Sequence, residues 1–300
     1  MNSVLRRLQV SPVILFILLM ISNSTGTRFM ENNSHPVKIA SLSFVPVKWN
    51  KESNLATIEK LAREAAAAGA KILVTPEGAV EGYLIDELLK KENRSPQSEQ
   101  EFYNIAEPFD GPAVQRISAL ASELGVDIIL GMLEREDNVL YNSVFWIDAR
   151  GKILHTHRKT HMAQAYYQPA FYHPGDSLDA FDTSYGRFGM MICFERQIPE
   201  VVNALALDGA TILFNPSYGS RGEWNDNMLR TRARDANAWL IFTHPLQTLI
   251  INPSGEIMVN NNDKEGITYY LITPERKISS RILRRRPQVF INKLSGPEQK

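Results

Sequence analysis

Cys193 is the only cysteine in 300 residues, and it stands where the apolar run Gly189-Met190-Met191-Ile192 gives way to Phe194-Glu195-Arg196-Gln197-Ile198-Pro199. A strand that ends in a turn toward a helix presents its last side chain and points backbone N–H groups at it. That setting favours a thiolate. A nucleophilic cysteine needs the help, since only a few per cent of an ordinary thiol is ionised at neutral pH. The other reading is an inert core residue, and position alone leaves both open. Glu77 closes the apolar run Lys71-Ile72-Leu73-Val74-Thr75 within Pro76-Glu77-Gly78. Neither helix nor strand propensity places a carboxylate there. It is a turn-forming surface acid or, if buried, an acid pushed by desolvation toward the range of a general base. Lys159 follows a strand in His157-Arg158-Lys159-Thr160-His161. It is an exposed lysine or, beside a thiol, a donor to a developing oxyanion.

Rival chemistries are poorly supported. His155, His157 and His161 could bind zinc, but their spacing is not that of a helical two-histidine site and no fourth ligand is near. Neither a metal nor another cofactor is expected. No G-x-S-x-G is present, which argues against a serine nucleophile elbow. With 33 basic and 33 acidic side chains the formal net charge is zero, so nucleic acid finds no large attractive field. The run Arg284-Arg285-Arg286 reads as a solvated or subunit-facing segment.

The elements that must position these residues alternate along the chain. Val37 to Phe44 reads as a strand and Asn54 to Ala68 as an amphipathic helix stopped by Gly69. Strands are expected at Lys71 to Thr75, Val126 to Leu133, Val139 to Asp148 and Lys152 to His157, with a helix at Gln115 to Leu124. Beyond the strand that ends at Cys193, a helix over Pro199 to Leu207 precedes a strand at Thr211 to Phe214. A helix at Asn225 to Ala238 follows, then strands at Trp239 to Thr243, Thr248 to Ile251 and Ile267 to Ile272. Apolar runs such as Ile212-Leu213-Phe214 suit strands covered on both faces. The pattern predicts one α/β domain over residues 36–290 with a short tail at 291–300. Residues 1–30 carry Arg6 and Arg7, an apolar run from Val13 to Ile21 and then small polar residues. This order is that of a secretory signal peptide, so a secreted or periplasmic protein is expected, or a membrane-anchored one if the segment is kept. The sequon Asn93-Arg94-Ser95 would then be open to glycosylation in a host that performs it.

Taken in order, Glu77 in PEG, Lys159 in RKTH and Cys193 in MICFERQIPE resemble the nitrilase superfamily of carbon–nitrogen hydrolases. Tyr141-Asn142-Ser143, Phe171-Tyr172-His173-Pro174-Gly175, Phe214-Asn215-Pro216-Ser217 and Arg232-Ala233-Arg234-Asp235 match as well, so the likeness runs from Val37 to Arg286. The resemblance implies a four-layer αββα sandwich without a cofactor. It makes Cys193 the nucleophile and Glu77 the general base, with Lys159 and the Phe194 backbone N–H holding the oxyanion. It implies a thiol amidohydrolase acting on a small amide or N-carbamoyl compound. A nitrilase and a non-catalytic binding protein on the same fold are the alternatives. Where the family places a second glutamate, this chain has Gln168. Arg196 matches a position that pairs with a substrate carboxylate in the N-carbamoyl amino acid branch, although it could equally pair with Glu195 or Glu200. Tyr83, Tyr166, Tyr167, Trp224 and His244 are candidate pocket residues. The resemblance also implies a homodimer or larger homo-oligomer, with residues after Ile272 at the interface.

Overall fold

The computed structural model describes residues 35–163, 171–275, 286 and 289. The expected signal segment, Tyr166, Tyr167, Gln168 and most of the chain after Ile272 lie outside the described residues. No helix among the described residues is long and apolar enough to cross a membrane.

Two six-stranded sheets form the frame. The first has the order β12-β1-β2-β3-β4-β5 and the second β11-β10-β9-β8-β7-β6. In the first, β1 (Val37–Ser43), β2 (Ile72–Val74) and β3 (Asp127–Glu136) run parallel. β4 (Val139–Ile147), β5 (Ile153–Arg158) and β12 (Gly266–Ile272) complete it antiparallel. In the second, β7 (Gly186–Met190), β8 (Ile212–Pro216) and β9 (Trp239–His244) are the parallel centre. β6 (Phe181–Thr183), β10 (Gln247–Ile251) and β11 (Ile257–Asn262) flank it.

Strand periodicity assigns the layers. Ile72 and Val74 point inward to Phe188, Met190, Ile212 and Phe214, which makes the core between the sheets. Leu73, between them, points outward against helix α1 (Lys51–Ala67). Leu213 likewise faces away from the other sheet, toward α5 (Pro199–Leu207) and α6 (Glu223–Ala236). Ile72-Leu73-Val74 and Ile212-Leu213-Phe214 are therefore apolar at every position, as strands covered on both sides require. The result is the expected αββα stack, with α1 and α4 (Pro112–Leu124) on one outer face and α5 and α6 on the other. Each fully buried Leu, Ile or Phe contributes about 1.5–3 kcal/mol relative to exposure.

Helix limits follow local chemistry. Asn50 caps α1 by accepting from the Ser53 N–H at 3.0 Å. Pro112 opens α4, and Gly125 closes it in the left-handed conformation at φ +63°. Several elements go beyond the expectations, among them the single-turn α2 (Ile85–Leu88), α3 (Pro96–Ile105) and the strands β6 and β11. Helix α3 buries only Phe102 and is held at its start by a Ser95–Ser98 capping box, so it shows no apolar stripe. β11 is mostly exposed and ends in three asparagines, and its strand state comes from pairing with β10.

Candidate active site

In open sheets, function gathers beyond the carboxyl ends of parallel strands. Here Glu77 follows β2, Cys193 follows β7, and Tyr218 follows β8. Lys159 follows the antiparallel edge strand β5, whose end lies beside Asn142 of β4: the Lys159 N–H donates to the Asn142 carbonyl at 2.8 Å.

Glu77 and Lys159 are buried at 1% and 0% exposure, and their 2.8 Å ion pair is sealed from water. Glu77 Oε1 also accepts from Asn142 Nδ2 at 2.8 Å, and its Oε2 from the Tyr218 backbone N–H at 3.0 Å. Burial alone would lower the Lys159 ammonium. The Glu77 carboxylate and the Cys193 sulfur outweigh it, with help from Glu195, and hold the ammonium above its usual range. Lys159 is thus a permanent cation, suited to stabilise an oxyanion and unsuited to take a proton.

Cys193 has φ +46°, a left-handed conformation that bulky residues rarely adopt, and strain of that kind is common where a side chain must be presented. It opens a five-residue 3-10 turn, Cys193–Gln197, and the α-helix follows over Pro199–Leu207 as expected, beyond that turn. The contacts of the sulfur are made instead by side chains. Arg196 Nη1 donates to Sγ at 3.4 Å, and the Cys193 sulfur is among the groups that raise the Lys159 ammonium. Gly219 leaves room for it, since a Cβ there would lie 3.1 Å from Sγ.

Cys193 lines a cavity of about 480 Å³ together with Phe194, Arg196, Tyr83, Asp86, Tyr218 and Gly219. That volume suits a small organic molecule. Tyr83 stacks on Tyr218 with ring centroids 4.4 Å apart, giving the cavity an aromatic wall. Arg196 is fully buried, and its guanidinium is also engaged by Asn225 Oδ1 at 2.7 Å and the Ser220 carbonyl at 2.9 Å. Neither Glu195 nor Glu200 is among its hydrogen-bond partners. His244 lies outside the cavity lining. Its Nδ1 accepts from the Leu246 N–H at 3.0 Å, which leaves Nε2 to donate to the Tyr218 carbonyl at 2.8 Å. Burial holds its pKa near 4, so it is a neutral prop for the Tyr218 segment. Trp224 is likewise elsewhere, 64% exposed on the first turn of α6.

Two residues escaped the sequence reading. Asn142 was visible only as part of a matching segment, yet an amide inside the apolar strand Val139–Ile147 signals a buried partner. Asp86 had no local signal. The histidines offer no metal site: among the described residues no group of three or more potential ligands converges. His155 stacks on Phe181, while His157 pairs with Glu195.

Glu81 lies behind this site. Its Oε2 accepts from the Leu133 N–H at 3.0 Å, and burial pushes its carboxyl from about 4.5 up to about 7. The folded protein keeps a proton that the unfolded chain has released. Its contribution is therefore complete below about pH 4.5 and is lost as pH rises through about 7. Glu81→Gln is expected to remove a slope of about 1.4 kcal/mol per pH unit from stability across that window. Denaturant unfolding at pH 5, 6 and 7 checks it, and parallel curves for the two proteins would refute it.

Sequence and structure comparisons bear on the family and the fold. Residues 38–281 match the family described as carbon-nitrogen hydrolase. An N-carbamoylputrescine amidase of Solanum lycopersicum is 35% identical over 192 residues, covering 63% of this chain and 60% of that protein. A citrullinase of Francisella tularensis is 32% identical over 202 residues, covering 63% and 66%. The chain thus spans about 60% of the length of the first curated relatives it matches. Among solved structures, an amidase from Nesterenkonia sp. superposes with a TM-score of 0.72 over 86% of this chain and 96% of that one, at 17% identity, and shows the same fold. With the family match running through all three of Glu77, Lys159 and Cys193, this chain belongs to the carbon-nitrogen hydrolase family.

Proposed function

We propose that this protein is a thiol amidohydrolase that cleaves a non-peptide C–N bond of a small amide or N-carbamoyl compound. The observation that carries it is a lone cysteine lining a cavity whose Tyr218 backbone N–H is held by a buried Glu–Lys pair. The Cys193 thiol gives its proton to the Glu77 carboxylate as sulfur attacks the carbonyl carbon. The oxygen takes up the negative charge against the Lys159 ammonium and the Phe194 backbone N–H. Collapse breaks the C–N bond, and Glu77 returns the proton to the departing ammonia or amine. A thioester, or thiocarbamate for a carbamoyl compound, remains on Cys193. Glu77 then takes a proton from water as hydroxide attacks, and returns it to the sulfur as the C–S bond breaks. One difficult hydrolysis becomes two easier steps.

Charge at the cavity favours one kind of substrate tail. Arg196 already serves three partners, whereas Asp86 lines the cavity with its side chain 45% exposed and a single lysine partner, Lys48. A carbamoyl compound with a distal ammonium is therefore favoured over one with a distal carboxylate. The relatives named as N-carbamoylputrescine amidases are consistent with this choice.

The test is ammonia release from a panel of carbamoyl amines, carbamoyl amino acids, simple amides and nitriles, with intact mass spectrometry of the protein. Turnover of carbamoyl amines with an acyl adduct on Cys193 is expected. Turnover of nitriles alone would make the protein a nitrilase. No turnover and no adduct with any class would leave a binding protein and end the proposal.

A further inference from the structure

Lys159 and Cys193 sit on different sheets, one after β5 and the other after β7. Chemistry between them requires their spacing to be held closely, because a misplacement of about 1 Å costs on the order of 10²-fold in rate. We propose that Glu195 is a positioning residue that pins the Cys193 turn to the Lys159 strand end through His157 and Thr160. The inference rests on Cys193 being the nucleophile.

One carboxylate makes all the ties. Glu195 Oε2 accepts from the Ile192 N–H at 2.6 Å and from His157 Nε2 at 2.7 Å. Its Oε1 accepts from the Thr160 N–H at 2.7 Å and from Thr160 Oγ1 at 2.6 Å. Ile192 immediately precedes the thiol, while His157 and Thr160 bracket Lys159 on both sides. Glu195 is fully buried and is not part of the cavity lining, so it acts on the reacting groups through their neighbours. Burial alone would raise its pKa; His157, Thr160 and the Ile192 N–H reverse this and hold it near 2. The carboxylate therefore keeps all four donors over the whole physiological range. A buried charge satisfied this completely is better explained by the geometry it enforces than by net stability.

Glu195→Gln is nearly isosteric, but its amide NH₂ turns a donor toward donors at Ile192 or His157. The readout is the rate of Cys193 alkylation by iodoacetamide per folded molecule of full chain, measured by intact mass from pH 6 to 9. Positioning predicts alkylation at least about tenfold slower at pH 7 in the variant. With a turned-over substrate it also predicts kcat down about 10²-fold and KM within about threefold. A purely electrostatic role predicts the opposite sign, because removing an anion near the sulfur favours the thiolate and speeds alkylation. A merely structural role lowers Tm and leaves the rate per folded molecule unchanged. Either result overturns the inference. Wild-type Cys193 reacting no faster than a simple alkyl thiol would instead sink the nucleophile itself, and the inference with it. Should Glu195→Gln not fold, His157→Gln, which keeps an N–H donor, is expected to retain the rate within about threefold, while His157→Phe loses at least tenfold. Equal rates for those two variants overturn the inference.

Discussion

Cys193→Ala is expected to leave a folded protein that releases ammonia at least about 10⁴-fold more slowly, because a hydrolase whose nucleophile is removed keeps only its binding and oxyanion contributions. No second thiol exists to take over. Glu77 and Lys159 remain paired without the sulfur, so the cavity stays formed. The structural cost is small. The lost group is one buried sulfur that accepts a 3.4 Å contact from Arg196, and alanine meets the same φ of +46° as cysteine. A stability change of about 1 kcal/mol is expected. Ammonia release and thermal melting on the same preparation check both halves. Activity within tenfold of the wild type would place the nucleophile elsewhere.

Lys159→Met is expected to damage both stability and chemistry. It leaves the Glu77 carboxylate, 1% exposed, without its cation. Breaking a buried pair from one side costs about 3–5 kcal/mol, since the remaining charge keeps its desolvation penalty and loses its compensation. Loss of an oxyanion donor adds on the order of 10²- to 10³-fold in kcat. The double variant Lys159→Met, Glu77→Gln separates the two effects. It removes the orphaned charge, so most of the stability returns, but the base and the cation are both gone and activity does not. Denaturant unfolding of the two variants together with ammonia release measures this. Recovery of activity with stability would show that the pair serves only the fold.

Much of the architecture was legible because it rests on patterns with a period. Ile72-Leu73-Val74 and Ile212-Leu213-Phe214 are apolar at every position, and only a sheet covered on both faces uses such strands. Gly125 and Pro199 marked a helix end and a helix start by their backbone limits. What had no pattern was not legible. Helix α3 has a single buried apolar residue, and β11 owes its conformation to its neighbour.

The site was legible in a different way. Cys193, Glu77 and Lys159 could each be named from their places at strand ends, but each kept an inert reading until the likeness to a family joined them. Several secondary assignments depended on contacts that no local pattern records. His244 sits two strands from the sulfur and turns both ring nitrogens to backbone groups. Arg196 lines the cavity beside Cys193, and the partner of its Nε–H is Asn225, 29 residues away.

By itself the sequence determined most of the strands and helices, their order, and which side chains have the chemistry to react. Periodicity and backbone restriction act over a few residues, so they are written locally. Only the tertiary structure decided what those side chains do. Glu77 meets Lys159 across 82 residues and the Tyr218 N–H across 141, and Glu195 reaches His157 across 38. A buried charge takes its state from the partners around it. Those partners are supplied by the strand order within the first sheet and by the stacking of the second sheet on it.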